Sequence, residues 1–286
     1  MAGGGGAGGS ADPEHGSRGA DALRGHPAPV RGAAADGRDA AGSVAPSGAP
    51  PAARLVACGV FFAVGLAAVT AWVLAAHLRP TAWDGTLHGA GLDHRIDGLT
   101  AVAVAVSASS EYLAYVVAAV GAMLALLPRP WWFGAVAGVL VLAFGQGVRV
   151  ALAAVIGRSR PPEADWEMHA AGFSLPSGHT ATATLAAGLL CLGLAASVRS
   201  SWRFAAMALL ALWAVVDGLG RVYLGVHWPT DVVAGWLLGA LLTVLAAGLF
   251  PRLRTPRSQR GELPDRDLSG RPQPRHPEQS GQAKQA

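Results

Sequence analysis

Apolar residues in this chain are gathered into long runs between Leu55 and Phe250, and both flanks are polar and rich in glycine, proline and arginine. A helix crosses the hydrocarbon core of a bilayer in about 20 apolar residues. Runs of that kind are Leu55–Leu78, Tyr112–Leu127, Trp132–Ile156, Thr180–Val198, Phe204–Leu219 and Val232–Phe250. They predict an all-α fold, a polytopic membrane helical bundle of about six transmembrane helices. The small, apolar stretch from Leu99 to Ser110 is compatible with two structures: an interfacial helix, or the outer part of a long second span.

Composition agrees with the pattern. Of the 286 residues 52% are hydrophobic and only 14% charged, a balance too apolar for a soluble domain. The flanks differ. Residues 1–53 and 254–286 hold too little apolar surface to offset the entropy of ordering them, and are expected to be disordered tails around a membrane-embedded domain at 54–253. The first apolar run lies far from the start and is long enough to stay in the membrane, so it reads as an anchor and not as a cleaved leader.

Charge then orients the bundle. Arg54, Arg129, Arg199, Arg203, Arg252, Arg254 and Arg257 flank one set of helix ends, the distribution expected of a cytoplasmic face. Both termini are therefore expected in the cytoplasm, with the loops Arg79–Leu99, Gly157–Gly178 and Gly220–Thr230 on the outer face of the cell membrane. Trp83, Trp166 and Trp228 beside those loops suit an interface belt. The net charge of +4 comes almost wholly from arginine, since Lys284 is the one lysine. Arginine-rich tails without interleaved aromatics or a known module give no case for nucleic acid as a partner. Cys58 and Cys191 both lie in apolar runs, which speaks against a disulfide framework or a thiolate metal site. Oligomeric state has no signature here.

Three clusters with chemical potential fall in the outer loops: Gly157-Arg158-Ser159-Arg160-Pro161, Pro176-Ser177-Gly178-His179, and Arg221 followed by His227 and Asp231. Each has a plain structural reading. Arg158 and Arg160 fit a juxtamembrane basic pair, PSGH fits a helix cap, and Asp231 fits a favourable charge on a helix dipole. The functional reading is more economical for all three together. A helix starting at PSGH aims its first amides at an outside anion, and His179 would lean toward that anion as a proton donor. Pro229 suits the first position of the last helix, which puts His227 just before it and Asp231 in its first turn. A carboxylate holding one imidazole nitrogen leaves the other as a fixed nucleophile, and Arg221 adds a forked donor for phosphate oxygens.

Taken together, PSGH and the RVYLGVHWPTD segment resemble the signature motifs of the type 2 phosphatidic acid phosphatase family, which includes the vanadium haloperoxidases. The resemblance runs from about Leu55 to Phe250. It implies catalytic roles for His179, His227 and Asp231: His227 attacks phosphorus to give a phosphohistidine, Asp231 orients its ring, and His179 protonates the leaving oxygen and then activates water. It implies phosphate binding by Arg160, Ser177, Gly178 and Arg221. No metal and no other cofactor is expected, because arginines and helix amides supply the positive charge.

Two positions depart from the family pattern. The first motif is K-x6-R-P, but Ala153 stands where the lysine belongs. Arg149 lies one helical turn earlier, although a side chain on this helix leans toward the cytoplasm by default. Gly220 replaces the serine usual before the third-motif arginine. Asp217 shares a helix face with Arg221 and reads as its orienter. Asp165, Glu167 and His169 lie between two motifs, where contact with a substrate headgroup is open to them but not expected, and Glu111 lies near a span end. The expected partner is a lipid phosphate or polyprenyl diphosphate substrate in the membrane, with phosphatidic acid, phosphatidylglycerol phosphate and undecaprenyl diphosphate all open. Two alternatives stand beside hydrolysis: lipid phosphotransfer, and a non-catalytic lipid-phosphate-binding protein.

Overall fold

A computed structural model describes residues 51–254. The expected tails lie outside the described residues, except that residues 51–53 and Arg254 form the ends of helices. Seven helices follow one another: α1 (Pro51–Ala75), α2 (Ala82–Asp93), α3 (Asp97–Ala125), α4 (Trp131–Ile156), α5 (Gly178–Ser197), α6 (Trp202–Tyr223) and α7 (Pro229–Arg254), with one 3-10 turn at Glu163–Asp165. All except α2 are long and apolar enough to span a membrane. The bundle is all-α, as the apolar runs predict.

The stretch before Tyr112 resolves into one of its two compatible structures. It is the N-terminal half of α3, a single helix of 29 residues. The added element is α2, which the hydrophobic pattern misses because Gly85, Gly89 and Gly91 dilute it. Its start is nonetheless written in the sequence. Thr81 accepts the Asp84 amide at 3.1 Å, and the Asp84 carboxylate returns to the Thr81 amide at 3.0 Å, a reciprocal capping box. Asp84 and His88, one turn apart, form the buried face of α2.

α5 is the centre of the bundle, packed against α3, α4, α6 and α7. Between membrane helices the hydrophobic drive is weak, so association rests on close van der Waals contact of small side chains. Gly121 of α3 meets α5 this way: a Cβ there would come within 2.5 Å of the Leu189 carbonyl carbon. α4 approaches α3 through Gly134 and Gly138, with Ala118 and Ala122 on the facing surface. This glycine and alanine seam is what lets α3, α4 and α5 converge around one cavity. Replacing Gly121 with Leu is expected to lower the thermal stability of the purified protein in detergent by about 1–3 kcal/mol through overpacking, read as a fall in Tm. The same change at Gly248, where an added Cβ would meet nothing within 4 Å, is expected to leave Tm close to native.

Candidate active site

The residues singled out in the three motifs meet at one end of the bundle, around a cavity of about 440 Å³. Its walls include Arg160, Gly178, His179, Arg221 and His227, drawn from three separate segments. Glu111 and Ser110 of α3, Gln146 and Arg149 of α4, and His169 of the long loop add to the polar lining.

His227 is the best-defined of these groups. α7 begins at Pro229, as the N1 preference of proline predicts, so Asp231 falls in its first turn. The His227 Nδ1 lies 3.4 Å from Asp231 Oδ2. On the other side of the ring, Arg160 Nη1 stands 2.9 Å from Nε2. A guanidinium has no acceptor, so Nε2 must offer its lone pair and the ring proton must sit on Nδ1, toward the carboxylate. Burial, and then the Arg160 and Arg221 cations, hold the imidazolium form well below the ordinary histidine value of 6.5. The ring is therefore neutral near pH 7, with its bare nitrogen turned to the cavity.

Arg160 is held by carbonyls of its own neighbourhood, donating from Nε to Gly172 at 2.9 Å and from Nη2 to Ala171 at 2.8 Å. Burial, and then the like charge of Arg149, lower its pKa to about 10, which leaves it cationic at neutral pH. Arg149 reaches the same place from α4. It donates from Nε to the Pro176 carbonyl at 3.0 Å, and a Cβ at Gly178 would sit 3.1 Å from its Cζ. The default lean of the side chain is thus overcome by a carbonyl acceptor at the start of α5. Ala153, the motif-lysine position, is buried away from the cavity.

Four details depart from the sequence reading. Ser177 does not line the cavity: its hydroxyl is fully buried and accepts from Thr180 Oγ1 at 2.9 Å, while its amide ties α5 to the Asp231 carbonyl at 3.0 Å. Asp217 forms no ion pair with Arg221 among the described residues. It accepts from Ser110 Oγ at 2.7 Å, and Arg221 donates instead to Ser107 Oγ. Trp228 is buried, with the Arg158 guanidinium carbon 5.9 Å above its ring, and so does not serve an interface belt. Arg158 itself is no juxtamembrane cation: it is fully buried between two carboxylates, those of Asp84 and Asp231.

The remaining candidates divide. His169 lines the cavity, whereas Asp165 binds His88 Nε2 at 3.1 Å and Glu167 binds Arg95 at 3.1 Å, so both acids tie loops together. Glu111 does reach chemistry, with Oε1 3.4 Å from His179 Nε2. At Gly220 an added Cβ would face Ala103 of α3, at 3.8 Å, and not the cavity wall, so the serine missing there costs the cavity little.

Comparison with known proteins identifies the family. Residues 113–254 match the model of the PAP2 superfamily. Phosphatidylglycerophosphatase B of Bacillus subtilis is 30% identical over 155 residues, covering 53% of this chain and 74% of that protein. The chain belongs to the PAP2 superfamily. An undecaprenyl-diphosphatase of Sulfolobus acidocaldarius is 40% identical over 74 residues, 26% of this chain and 32% of that protein. Phosphatidylglycerophosphatase B of Escherichia coli K12 is 37% identical over 100 residues, 34% of this chain and 38% of that protein. Against these two the chain spans about a third of the relative's length. The crystal structure of a transmembrane PAP2-type phosphatidylglycerolphosphate phosphatase from Bacillus subtilis superposes with a TM-score of 0.57 at 27% identity, over 69% of this chain and 96% of that one. A transmembrane PAP2 fold is thus common to this chain and that structure.

The PAP2 site makes a spectroscopic prediction. With histidines labelled by ¹⁵N, the His227 ring is expected to keep the Nδ1–H tautomer and remain neutral below pH 6.5, because the folded-state value is depressed. A ring that becomes imidazolium at or above pH 6.5 would contradict the assignment.

Proposed function

We propose that this protein hydrolyses a lipid-linked phosphomonoester or diphosphate at the outer face of the cell membrane, through a phosphohistidine on His227. The observation that carries the reading is the fixed lone pair of His227 Nε2, facing a cavity that also holds His179 and three guanidiniums. The relatives named for phosphatidylglycerophosphate and undecaprenyl diphosphate support the lipid-phosphate class. Orientation rests on the arginines: Arg129, Arg199, Arg203, Arg252 and Arg254 all lie at the ends of helices opposite the cavity, the bias expected of a cytoplasmic face, which supports an outward-facing cavity.

The steps follow from the positions. An entering phosphate draws the Arg160 fork from His227 Nε2 onto its own equatorial oxygens, which uncovers the nucleophile. Arg149, Arg160, Arg221 and the first amides of α5, beginning at Gly178, neutralise the developing charge. His227 Nε2 forms the bond to phosphorus as the bond to the leaving oxygen breaks, and His179 gives that oxygen a proton. Asp231 stabilises the cationic ring through Nδ1–H. In the second half, His179 takes a proton from water as the water oxygen attacks phosphorus, and the phosphohistidine bond breaks to release inorganic phosphate and restore His227.

Arg149 in this account takes the place of the motif lysine, which explains how Ala153 is tolerated. In detergent with chelator present, phosphate release from phosphatidylglycerol phosphate, phosphatidic acid and undecaprenyl diphosphate is expected for the native protein and absent for His227→Ala. Arg149→Ala is expected to lose about 10²-fold in kcat/KM, the usual effect of removing one preorganised donor, with partial recovery in Arg149→Lys. Inertness of the native protein toward all three lipids, with active controls, would overturn the reading; native activity in Arg149→Ala would remove Arg149 from the site.

A further inference from the structure

We propose that Asp84, acting through Arg158, is a positioning residue for His227, supplying the excess negative charge that the site needs when that ring becomes cationic. The inference rests on His227 being the nucleophile.

Four ionisable groups stand in a row behind the ring, each with at most 1% of its surface exposed. Asp84 Oδ2 accepts from Arg158 Nη2 at 2.7 Å. Arg158 Nη1 donates to Asp231 Oδ1, and Asp231 Oδ2 faces His227 Nδ1. The two oxygens of Asp231 are thereby divided: one is held by Arg158, and the other keeps the Trp228 amide at 3.0 Å and the histidine. Arg158 on Oδ1 and the Trp228 amide on Oδ2 together fix the rotation of the carboxylate.

Charge accounting shows what Asp84 adds. Arg158 and Asp231 alone would cancel, and a ring that gains positive charge on bonding phosphorus would then be an unpaired buried cation, a costly state. Asp84 brings the row to a net charge of minus one at rest, so the phosphorylated ring brings it to zero. The carboxylate is kept ionised for this. Burial works to raise its pKa, but the amides of Thr230 and Thr81 and the Arg158 guanidinium more than offset that, and the net shift is downward. Its second oxygen, Oδ1, takes the Thr230 amide at 2.9 Å and the Thr230 hydroxyl at 2.8 Å, and so fixes the start of α7. A purely structural tie would depend on both oxygens accepting, and Asp84→Asn removes one acceptor together with the charge, so the variants that restore the charge are the ones that isolate its part.

That distinction gives the test: kcat and KM for a lipid phosphate in Asp84→Asn, Asp84→Glu and Asp84→Asn/Arg158→Met, with inhibition by inorganic phosphate as a gauge of the intact cavity. Asp84→Asn is expected to lose about 10–100-fold in kcat, the scale of one lost charge-assisted contact, with KM and phosphate inhibition within about twofold of native. Asp84→Glu, a poorer steric fit that keeps the charge, is expected to exceed Asp84→Asn. The double variant restores the net charge of minus one and is also expected to exceed the single. Equal or higher kcat in Asp84→Asn than in Asp84→Glu overturns the proposal, as does a loss of phosphate inhibition in step with kcat. Activity retained in His227→Ala would overturn this inference together with the reading beneath it, whereas a dead His227→Ala beside a fully active Asp84→Asn overturns this inference alone.

Discussion

Arg158, fully buried with a carboxylate on either side, is the constraint from which the rest of the site hangs. Taking a guanidinium out of water is expensive unless its donors are matched, and a lone partner seldom repays that cost. Here the partners come from opposite ends of the fold: Asp84 from α2 and Asp231 from the first turn of α7. Arg158 can be satisfied only when α2, the loop after α4 and the start of α7 are all in place. Its neighbour Arg160, two residues on, is carried by the same loop to His227. One buried cation therefore sets both the carboxylate beside His227 and the guanidinium in front of its ring.

The loops are tied into the same frame. Arg95, just after α2, donates to the Tyr223 carbonyl at 2.9 Å, the Asp165 carbonyl at 2.6 Å and Glu167 at 3.1 Å, so the long loop is fastened to the end of α6. Gly225 lies in this junction with φ of +78°, and a Cβ there would strike Asp165 and Arg95. Such fastening suits a site that gathers Arg149, Arg160 and Arg221 in one cavity. Like charges so close repel until an anion arrives, and arginine tolerates this better than lysine because its high intrinsic pKa leaves it charged even when lowered to about 10.

Much of this was legible from residues alone, for identifiable reasons. The spans follow from apolar run length, and Pro229 and PSGH punctuate helix starts, so the places of His179, His227 and Asp231 come directly from the chain. The misses share a cause. Asp84 sits in a glycine-rich stretch where its capping partner Thr81 is the one signal, and its role depends on contacts across 74 residues to Arg158 and 146 to Thr230. Arg158 resembles any basic residue beside a span until its burial is seen. Ser177 turns inward because the α5 start packs onto α7, with Gly235 beside the Ser177 carbonyl. Arg149 bends toward the cavity because a carbonyl waits for it at Pro176, which no local rule could supply.

The membrane gives the arrangement its economy. Six apolar helices carry few charges along their length, and polar groups from several of them converge on one cavity. The central claim is that His227 carries the phosphoryl group between lipid and water. Acid-quenched turnover is too harsh for a phosphoramidate, so the decisive measurement is rapid quenching of the native protein in alkali with radiolabelled lipid phosphate, followed by peptide mapping. The account predicts a base-stable, acid-labile label on the peptide containing His227, formed and lost at rates compatible with turnover. Label on another residue, or turnover with no labelled protein at any time point, would contradict it.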